Sequence, residues 1–166
     1  PVETIRKVLA SYKGAGRRLD VRLQDERVTV IDDYGHHPTE IKATLAAVKN
    51  MAAKRVRAVF QPHRFSRTQL LLEEFGACFS DADDVVITDI YAAGEEEIPG
   101  ISGQSVVEAV RRLDPGRSAA YVPRQQLVQY LAATITAGDV LVMLGAGDIV
   151  KLSHELVETI KPGNPA

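Results

Sequence analysis

The stretch VRAVFQPHRFSRT, residues 56–68, decides the fold of this chain. Its first five residues are mainly apolar and predict a buried β-strand. A polar loop with proline, histidine and arginine follows, and residues 66–79 then have the apolar spacing of a helix. A buried strand that leads through a loop into a helix is one crossover unit of a parallel sheet.

The same order of strand, loop and helix recurs on both sides of this stretch. Further strands are predicted at residues 28–31, 84–88, 119–122 and 140–144. Further helices are predicted at residues 39–53, 102–113, 125–136 and 148–160, with Ser102 as an N-cap. This alternation predicts a doubly wound α/β domain with a mainly parallel sheet and helices on both faces.

The N-terminal part of the chain differs from this pattern. Residues 2–12 have helical spacing, and the stretch KGAG at residues 13–16 ends that helix. We predict that residues 1–16 are a connector or the end of a preceding domain, and that residues 17–166 form the domain itself. Runs at residues 19–23 and 28–31, separated by a polar turn, predict a β-hairpin that leads into the sheet.

The composition indicates a soluble domain and limits the possible partners. The 166 residues are 45% hydrophobic and 25% charged, with a net charge of −2, which disfavours general affinity for nucleic acid or anionic membranes. The single cysteine, Cys78, excludes an internal disulfide and a cysteine metal cluster, and we interpret it as a core residue. No signal peptide or membrane span is visible, so we expect a cytoplasmic protein. A chain that begins with proline indicates a fragment of a longer protein.

Ligands of doubly wound sheets bind at the carboxyl ends of the strands. Four polar or glycine-containing loops follow predicted strands in this chain. They are DDYGHHPTE at residues 32–40, QPHRFSRT at 61–68, DIYAAGE at 89–95 and GAGD at 145–148. Their clustering at one edge of the sheet predicts the functional site there, with Glu95 beside it.

Arg64 and Arg67 are three residues apart at a predicted helix start, and both could bind one carboxylate or phosphate. Arginine suits this role because its planar fork can bind two oxygens at once. The alternative is a solvated helix start whose arginines face water.

The loop after the strand at residues 28–31 offers two candidate pairs. The adjacent His36 and His37 could bind a metal, orient a substrate or cap a turn, and without a third ligand the indication of a metal is weak. Asp32 and Asp33 end the strand, where a carboxylate commonly binds ribose hydroxyls, or they are ordinary strand terminators.

The loop at residues 145–148 lacks the third glycine of a dinucleotide fingerprint, because position 150 is Val. Gly145 and Gly147 could still allow close backbone approach to a small ligand. The chain contains no GxxxxGKS or GxxxxGKT sequence. If the protein uses ATP, its phosphate-binding loop must therefore lie on another domain.

Taken together and in this order, the four loops closely resemble the C-terminal domain of the Mur ligase family, over about residues 12–160. Within the family, they are most similar to the branch that joins L-alanine to UDP-N-acetylmuramic acid. The resemblance implies an ATP-dependent, ADP-forming amide-bond ligase of peptidoglycan precursor synthesis. ATP phosphorylates the muramoyl carboxylate in this family, and the amine of L-alanine then attacks the acyl phosphate.

The resemblance also implies roles for individual residues. Arg18 would reach the ATP phosphates, and Asp33 would bind the nucleotide ribose. The residues expected at the L-alanine site are His36, His37, Arg64, Arg67, Gly145 and Gly147. The family's phosphate-loop lysine and its Mg²⁺ ligands are not in this chain, so ATP and Mg²⁺ would be bound chiefly by another domain. We therefore expect no catalytic or metal-binding residue in this chain and no activity from the chain alone.

Two alternatives stay open at this point. One is the related ligase that reattaches a recycled murein tripeptide to UDP-N-acetylmuramic acid, although the intact stretch at residues 60–68 favours L-alanine. The other is a module that binds a nucleotide or an amino acid without catalysis.

Overall fold

The structure is a computed structural model that describes residues 1–11, 16–51 and 54–161. Four parts of the predictions lie outside the described residues. They are the end of the first helix at Tyr12, residues 13–15 of the stretch that ends it, the last two residues of the helix predicted at 39–53, and residues 162–166 of the predicted domain.

The described residues form helices and strands in the order that the sequence predicts. The strands are β1 (Asp20–Gln24), β2 (Val28–Asp33), β3 (Arg55–Phe60), β4 (Asp84–Ile87), β5 (Ser118–Tyr121) and β6 (Asp139–Leu144). The helices are α1 (Val2–Ser11), α2 (Pro38–Lys49), α3 (Phe65–Leu70), α4 (Leu72–Ala77), α5 (Gly103–Leu113), α6 (Arg124–Thr134) and α7 (Ile149–Ile160). Ser102 is the N-cap residue of α5, as predicted.

The six strands form one sheet in the order β1-β2-β6-β3-β4-β5. β1 pairs antiparallel with β2 and makes the predicted hairpin, and every other pairing is parallel. The predicted fold class is therefore confirmed. The last strand of the chain, β6, lies between β2 and β3.

Two apolar layers enclose the sheet, because successive residues of a strand point to opposite faces. On β6, Val142 and Leu144 belong to the layer that includes Ile41, Leu45, Phe75 and Val107. Leu141 and Met143 belong to the other layer, which includes Leu127, Leu131, Leu152 and Leu156. All six residues of β6 are buried, as expected for a central parallel strand. Cys78 is buried in the first layer, and burial raises the pKa of its thiol.

The helix predicted at residues 66–79 is a partial error, because the structure has two six-residue helices there. They meet at Leu71, whose φ of −109° and ψ of 23° interrupt the helical backbone. Within α3 the Thr68 hydroxyl donates to the Arg64 carbonyl at 2.8 Å, a bond that tends to bend helices. Beyond the break, Gly76 lies so close to α5 that a Cβ atom would be 2.9 Å from the Ala109 carbonyl oxygen.

At the amino ends of the strands, a network of ions lies inside the protein. Arg57 is only 2% exposed and contacts Asp84 at 2.9 Å and Asp139 at 3.7 Å. Arg55 contacts Asp139 at 2.7 Å. Burial raises the pKa of Asp139, but hydrogen bonds from Arg55 and Thr136 outweigh burial and leave that pKa below its usual value. In the part of the chain that the structure describes, no helix is long and apolar enough to cross a membrane.

We predict that Asp139→Asn lowers the free energy of unfolding by about 3 kcal/mol at pH 7, because it removes the shared partner of two arginines. A lowered folded-state pKa gives stability that is present above the unfolded pKa and is lost as the pH falls through the folded value. The difference between wild type and variant should therefore shrink below about pH 4. Urea unfolding at a series of pH values measures this, with Glu26→Gln as an exposed control. A loss that is equal at pH 7 and pH 3 would contradict the prediction.

Candidate functional site

The four predicted loops lie side by side at the carboxyl edge of the sheet. The register aligns Leu144 at the end of β6 with Asp33 on β2 and with Phe60 on β3. Phe60 is aligned in turn with Ile87 on β4. Each of these strands therefore ends at the same level, and the polar residues that follow them are neighbours.

Arg67 carries an unpaired cationic group at this edge. Its Nη1 atom is buried and has no hydrogen-bond partner among the described residues. The Nδ1 atom of His63 is in the same situation. Burial and the nearby charges of Arg67, His36 and Arg64 lower the pKa of His63, so its ring is neutral at physiological pH. The two side chains together offer two buried nitrogens without a partner among the described residues, and Arg67 adds a positive charge.

Aromatic rings hold His63 in place. The ring of Tyr91 stacks on it with centroids 5.5 Å apart and planes 21° apart. The ring of His36 contacts it edge-on at 5.9 Å, and Tyr34 contacts His36 at 5.2 Å. His36 therefore lies next to the loop after β3, which carries Arg64.

Arg64 differs from Arg67 in its surroundings. Its backbone is in the left-handed region, with φ of 71°, and its N–H donates to the Tyr91 carbonyl at 2.8 Å. The Tyr91 N–H donates in turn to the Pro62 carbonyl at 2.8 Å, so the loops after β3 and β4 are bonded to each other. The side chain of Arg64 is 49% exposed, and its Nη1 atom lies 3.7 Å from a carboxylate oxygen of Glu95. Arg64 therefore already has a counter-ion, whereas Arg67 has none among the described residues.

His37 caps helix α2. Its Nδ1 accepts a hydrogen bond from the Thr39 N–H at 3.3 Å, and its own N–H donates to Glu40 at 3.1 Å. The His36 N–H donates to the same Glu40 oxygen at 3.0 Å. His37 thus has the turn-capping role that the sequence left open, and its contact with a substrate stays a prediction.

Both aspartates at the end of β2 are buried. Asp33, only 3% exposed, accepts from the N–H groups of Leu19 and Gly35 at 2.8 Å each and from the Thr44 hydroxyl at 3.3 Å. Its carboxylate therefore holds the chain around it in place. A contact with ribose stays a prediction, and in this conformation the hydrogen bonds of Asp33 go to the protein itself.

The residues just before β1 have an unusual backbone that displays Arg18. Arg17 and Leu19 have φ of 59° and 46°, in the left-handed region that non-glycine residues seldom adopt. The side chain of Arg18 is 52% exposed, and its guanidinium lies 3.9 Å from Glu40 and 5.7 Å from the centre of the Tyr34 ring. Arg18 is thus placed at the same edge as the other loops, with its charge exposed to solvent.

The side chain of Arg17 turns inward instead. It donates to buried Asp32 at 3.0 Å and to the Gly145 carbonyl at 2.6 Å. Arg17 therefore connects the beginning of the domain to the loop after β6. Nothing in the sequence around Arg17 indicates this role.

The two glycines after β6 allow the loops to pack closely. A Cβ atom at Gly147 would lie 2.5 Å from Oε1 of Gln61 and 2.6 Å from the Tyr91 ring. At Gly145, with φ of 149°, it would lie 2.9 Å from the Gln61 carbonyl oxygen. Gln61 is buried, donates to Asp148 at 2.8 Å and accepts from the Ile149 N–H at 3.0 Å. The observed close approach is to neighbouring protein, and contact of the glycines with a ligand stays a prediction.

From the sequence, His63 only supports a functional role for the arginines that follow it, and nothing assigns a role to Tyr91 or Arg17 or a partner to Glu95. The position of a residue next to a candidate arginine or histidine was the only sequence signal for such a role. The fold is needed to show which of these residues contact one another. Among the described residues, no group of three or more His, Cys, Asp or Glu side chains is arranged to hold a metal ion.

Comparison with known proteins identifies relatives of this chain. The Mur ligase glutamate ligase domain, as a family model, matches residues 17–147. UDP-N-acetylmuramate–L-alanine ligase from Brachyspira hyodysenteriae is 46% identical over 164 residues, which are 98% of this chain and 35% of that protein. The protein of the same name from an Anaeromyxobacter species is 46% identical over 95% of this chain and 34% of its own length. The chain thus spans about a third of the curated relatives it matches.

Solved structures have the same fold. UDP-N-acetylmuramate-alanine ligase from Thermotoga maritima matches 92% of this chain and 31% of its own, with a TM-score of 0.70 and 28% identity. A murein peptide ligase from Psychrobacter arcticus matches 96% of this chain and 33% of its own, with a TM-score of 0.75. At 19% identity, this second likeness shows the fold alone.

The family match covers β1 to β6, three of the four loops at the carboxyl edge in full, and residues 145–147 of the fourth. Since relatives that are 46% identical align over nearly the whole chain, the match is not limited to single motifs. This chain belongs to the Mur ligase family and carries its glutamate ligase domain.

Proposed function

We propose that this chain is the amino-acid-binding domain of a cytoplasmic UDP-N-acetylmuramate–L-alanine ligase, an enzyme of peptidoglycan precursor synthesis. We assign residues 17–166 to the domain, and residues 1–16 to a connector or to the end of a preceding domain. The whole enzyme would join L-alanine to UDP-N-acetylmuramic acid and convert ATP to ADP and phosphate. The names of relatives at 46% identity support L-alanine over a recycled tripeptide as the substrate.

The buried, unpaired Nη1 atom of Arg67 is the observation that carries this proposal. A buried cationic nitrogen without a partner is costly, and an anionic ligand removes the cost by forming a charge-assisted hydrogen bond. L-Alanine has a single methyl group to bury, so most of its binding energy must come from its charged groups. Its carboxylate matches the fork of Arg67, and Arg64 lies three residues away.

The neutral ring of His63 suits the other end of a zwitterion. An imidazolium beside Arg67 would repel the ammonium group of an amino acid, whereas a neutral imidazole does not. Burial and the neighbouring cations keep the pKa of His63 low and therefore keep the ring neutral. The unpartnered Nδ1 atom is available to hydrogen-bond the substrate.

Arg18 is the residue that best suits contact with ATP. Its guanidinium is exposed and its nearest carboxylate is at 3.9 Å, so the charge is available to phosphates. ATP, with Mg²⁺ bound chiefly by another domain, would supply the phosphate that activates the muramoyl carboxylate. A ribose contact by Asp33 would require its hydrogen bonds to Leu19 and Gly35 to rearrange.

We predict that Arg67→Lys in the full-length ligase raises the KM for L-alanine about tenfold, because lysine keeps the charge but loses the fork. Arg67→Ala should raise it further, and the KM for ATP should stay near normal in both variants. Steady-state kinetics with each substrate varied separately measures this. The control is Arg112→Lys, since Arg112 is exposed and pairs with Glu73. An unchanged KM for L-alanine in both Arg67 variants would refute the proposed site.

We also predict that Arg18→Ala raises the KM for ATP about tenfold or more and leaves the KM for L-alanine near normal, because a hydrogen bond to a charged group contributes about 1.5–3 kcal/mol. The same assay on Asp33→Asn tests the ribose contact. Thermal unfolding of Asp33→Asn must accompany it, since that substitution also weakens the internal bonds of Asp33. If Arg18→Ala alters only the KM for L-alanine, the two ligands have been assigned to the wrong loops.

The purified 166-residue chain should form no UDP-N-acetylmuramoyl-L-alanine from ATP, L-alanine and the UDP-sugar. Its sequence contains no phosphate-binding loop to place the γ-phosphate. Chromatography of the reaction products detects this, and the full-length ligase serves as the positive control. Product formed by the chain alone would show that the prediction is wrong.

A further inference from the structure

We infer that Glu95 is a specificity-determining residue, whose negative charge makes the site accept a monocarboxylic amino acid and disfavour a dicarboxylic one. This inference rests on the proposed function, in which Arg64 and Arg67 receive the carboxylate of the substrate. The inference adds the carboxylate of Glu95 to a substrate site that the proposed function describes only by its arginines and by neutral His63.

Glu95 is held in place by Ser66 rather than by the arginine that it neutralises. One of its oxygens accepts from the Ser66 N–H at 3.0 Å, and the other accepts from the Ser66 hydroxyl at 2.7 Å. The contact with Arg64 is longer, at 3.7 Å. The carboxylate would therefore keep its position when the Arg64 side chain turns towards a substrate.

The backbone before Glu95 is shaped to place it there. Ala93 and Gly94 are both in the left-handed region, with φ of 52° and 86°. The Glu95 N–H donates to the Ala92 carbonyl at 3.1 Å and closes this turn. A left-handed alanine is unfavourable, so the loop accepts local strain in the conformation that brings Glu95 to Ser66.

Glu95 is ionised at neutral pH. Hydrogen bonds from the hydroxyl and the N–H of Ser66, together with the charge of Arg64, lower the pKa of its carboxyl group. Arg64 and Arg67 contribute two positive charges and Glu95 one negative charge, while His63 is neutral. Glu95 therefore neutralises the charge of Arg64 and leaves the charge of Arg67 for the substrate carboxylate.

A second carboxylate at these arginines would have to share Arg64 with Glu95. The carboxylate of an L-alanine molecule would take the free fork of Arg67, and its ammonium group is compatible with Glu95 nearby. The side-chain carboxylate of L-aspartate would instead add a negative charge close to Glu95. Like charges brought close together repel, which gives discrimination by repulsion rather than by fit.

The test is competition between L-aspartate and L-alanine in the full-length ligase, with Glu95→Gln as the main variant. We expect the ratio of the L-aspartate inhibition constant to the L-alanine KM to fall about tenfold when the charge is removed. Glu95→Asp keeps the charge and should keep most of the discrimination. Glu96→Gln removes the charge of the exposed neighbouring residue and should behave as the wild type does.

A second variant separates charge from the local fold. Ser66→Ala removes the hydroxyl bond to Glu95 but leaves the charge and the backbone bond, so discrimination should persist even if stability falls. An unchanged ratio in Glu95→Gln, or an equal fall in Glu96→Gln, would overturn the inference. If the proposed function itself is wrong, the result is different. The Arg67 variants would then have a normal KM for L-alanine, and the inferred role of Glu95 would also be wrong.

Discussion

The register of the central strand β6 is the constraint on which the rest of this structure depends. β6 lies between β2 and β3, and its last residue, Leu144, is aligned with the residues that end both neighbours. The Leu144 carbonyl accepts from the Gln61 N–H at 3.0 Å, and the Gly145 N–H donates to the Asp33 carbonyl at 3.2 Å. Because the sheet is buried on both faces, a shift by one residue would exchange the two apolar layers. The apolar core thereby sets the level at which the functional loops begin.

Above that level, the loops position one another. Gly147 leaves room for Tyr91, Tyr91 stacks on His63, and the backbone of Arg64 is bonded to Tyr91. The position of Arg64 after β3 therefore depends on Tyr91 after β4 and on Gly147 after β6. The two arginines also differ in their surroundings. Arg64, the N-cap of α3, is paired with Glu95, whereas Arg67 within α3 has a buried Nη1 atom without a partner among the described residues.

Much of the fold could be predicted from the sequence because its signals are local. The apolar runs of β3 and β6, the polar turn between β1 and β2, and the N-cap at Ser102 each identify an element without tertiary information. The break at Leu71 could not be predicted in this way, since it depends on the packing of α4 against α5. The ion pairs of Arg57 could not be predicted for a similar reason. A charged residue in an apolar run does not indicate that Asp84 and Asp139 lie beside it on neighbouring strands. At the site, the sequence identified the residues that carry charge, but the stack of His63 and Tyr91 and the partner of Arg64 emerge only when separate loops meet.

The side chain of Arg17 has a mechanical consequence. It lies at the point where the chain enters the domain, and it bonds both to Asp32 at the end of β2 and to the Gly145 carbonyl after β6. A torque applied where the chain enters the domain would therefore reach the loop after β6 through the hydrogen bonds of Arg17. The entrance of the chain and the loop after β6 are thus mechanically coupled through the side chain of Arg17.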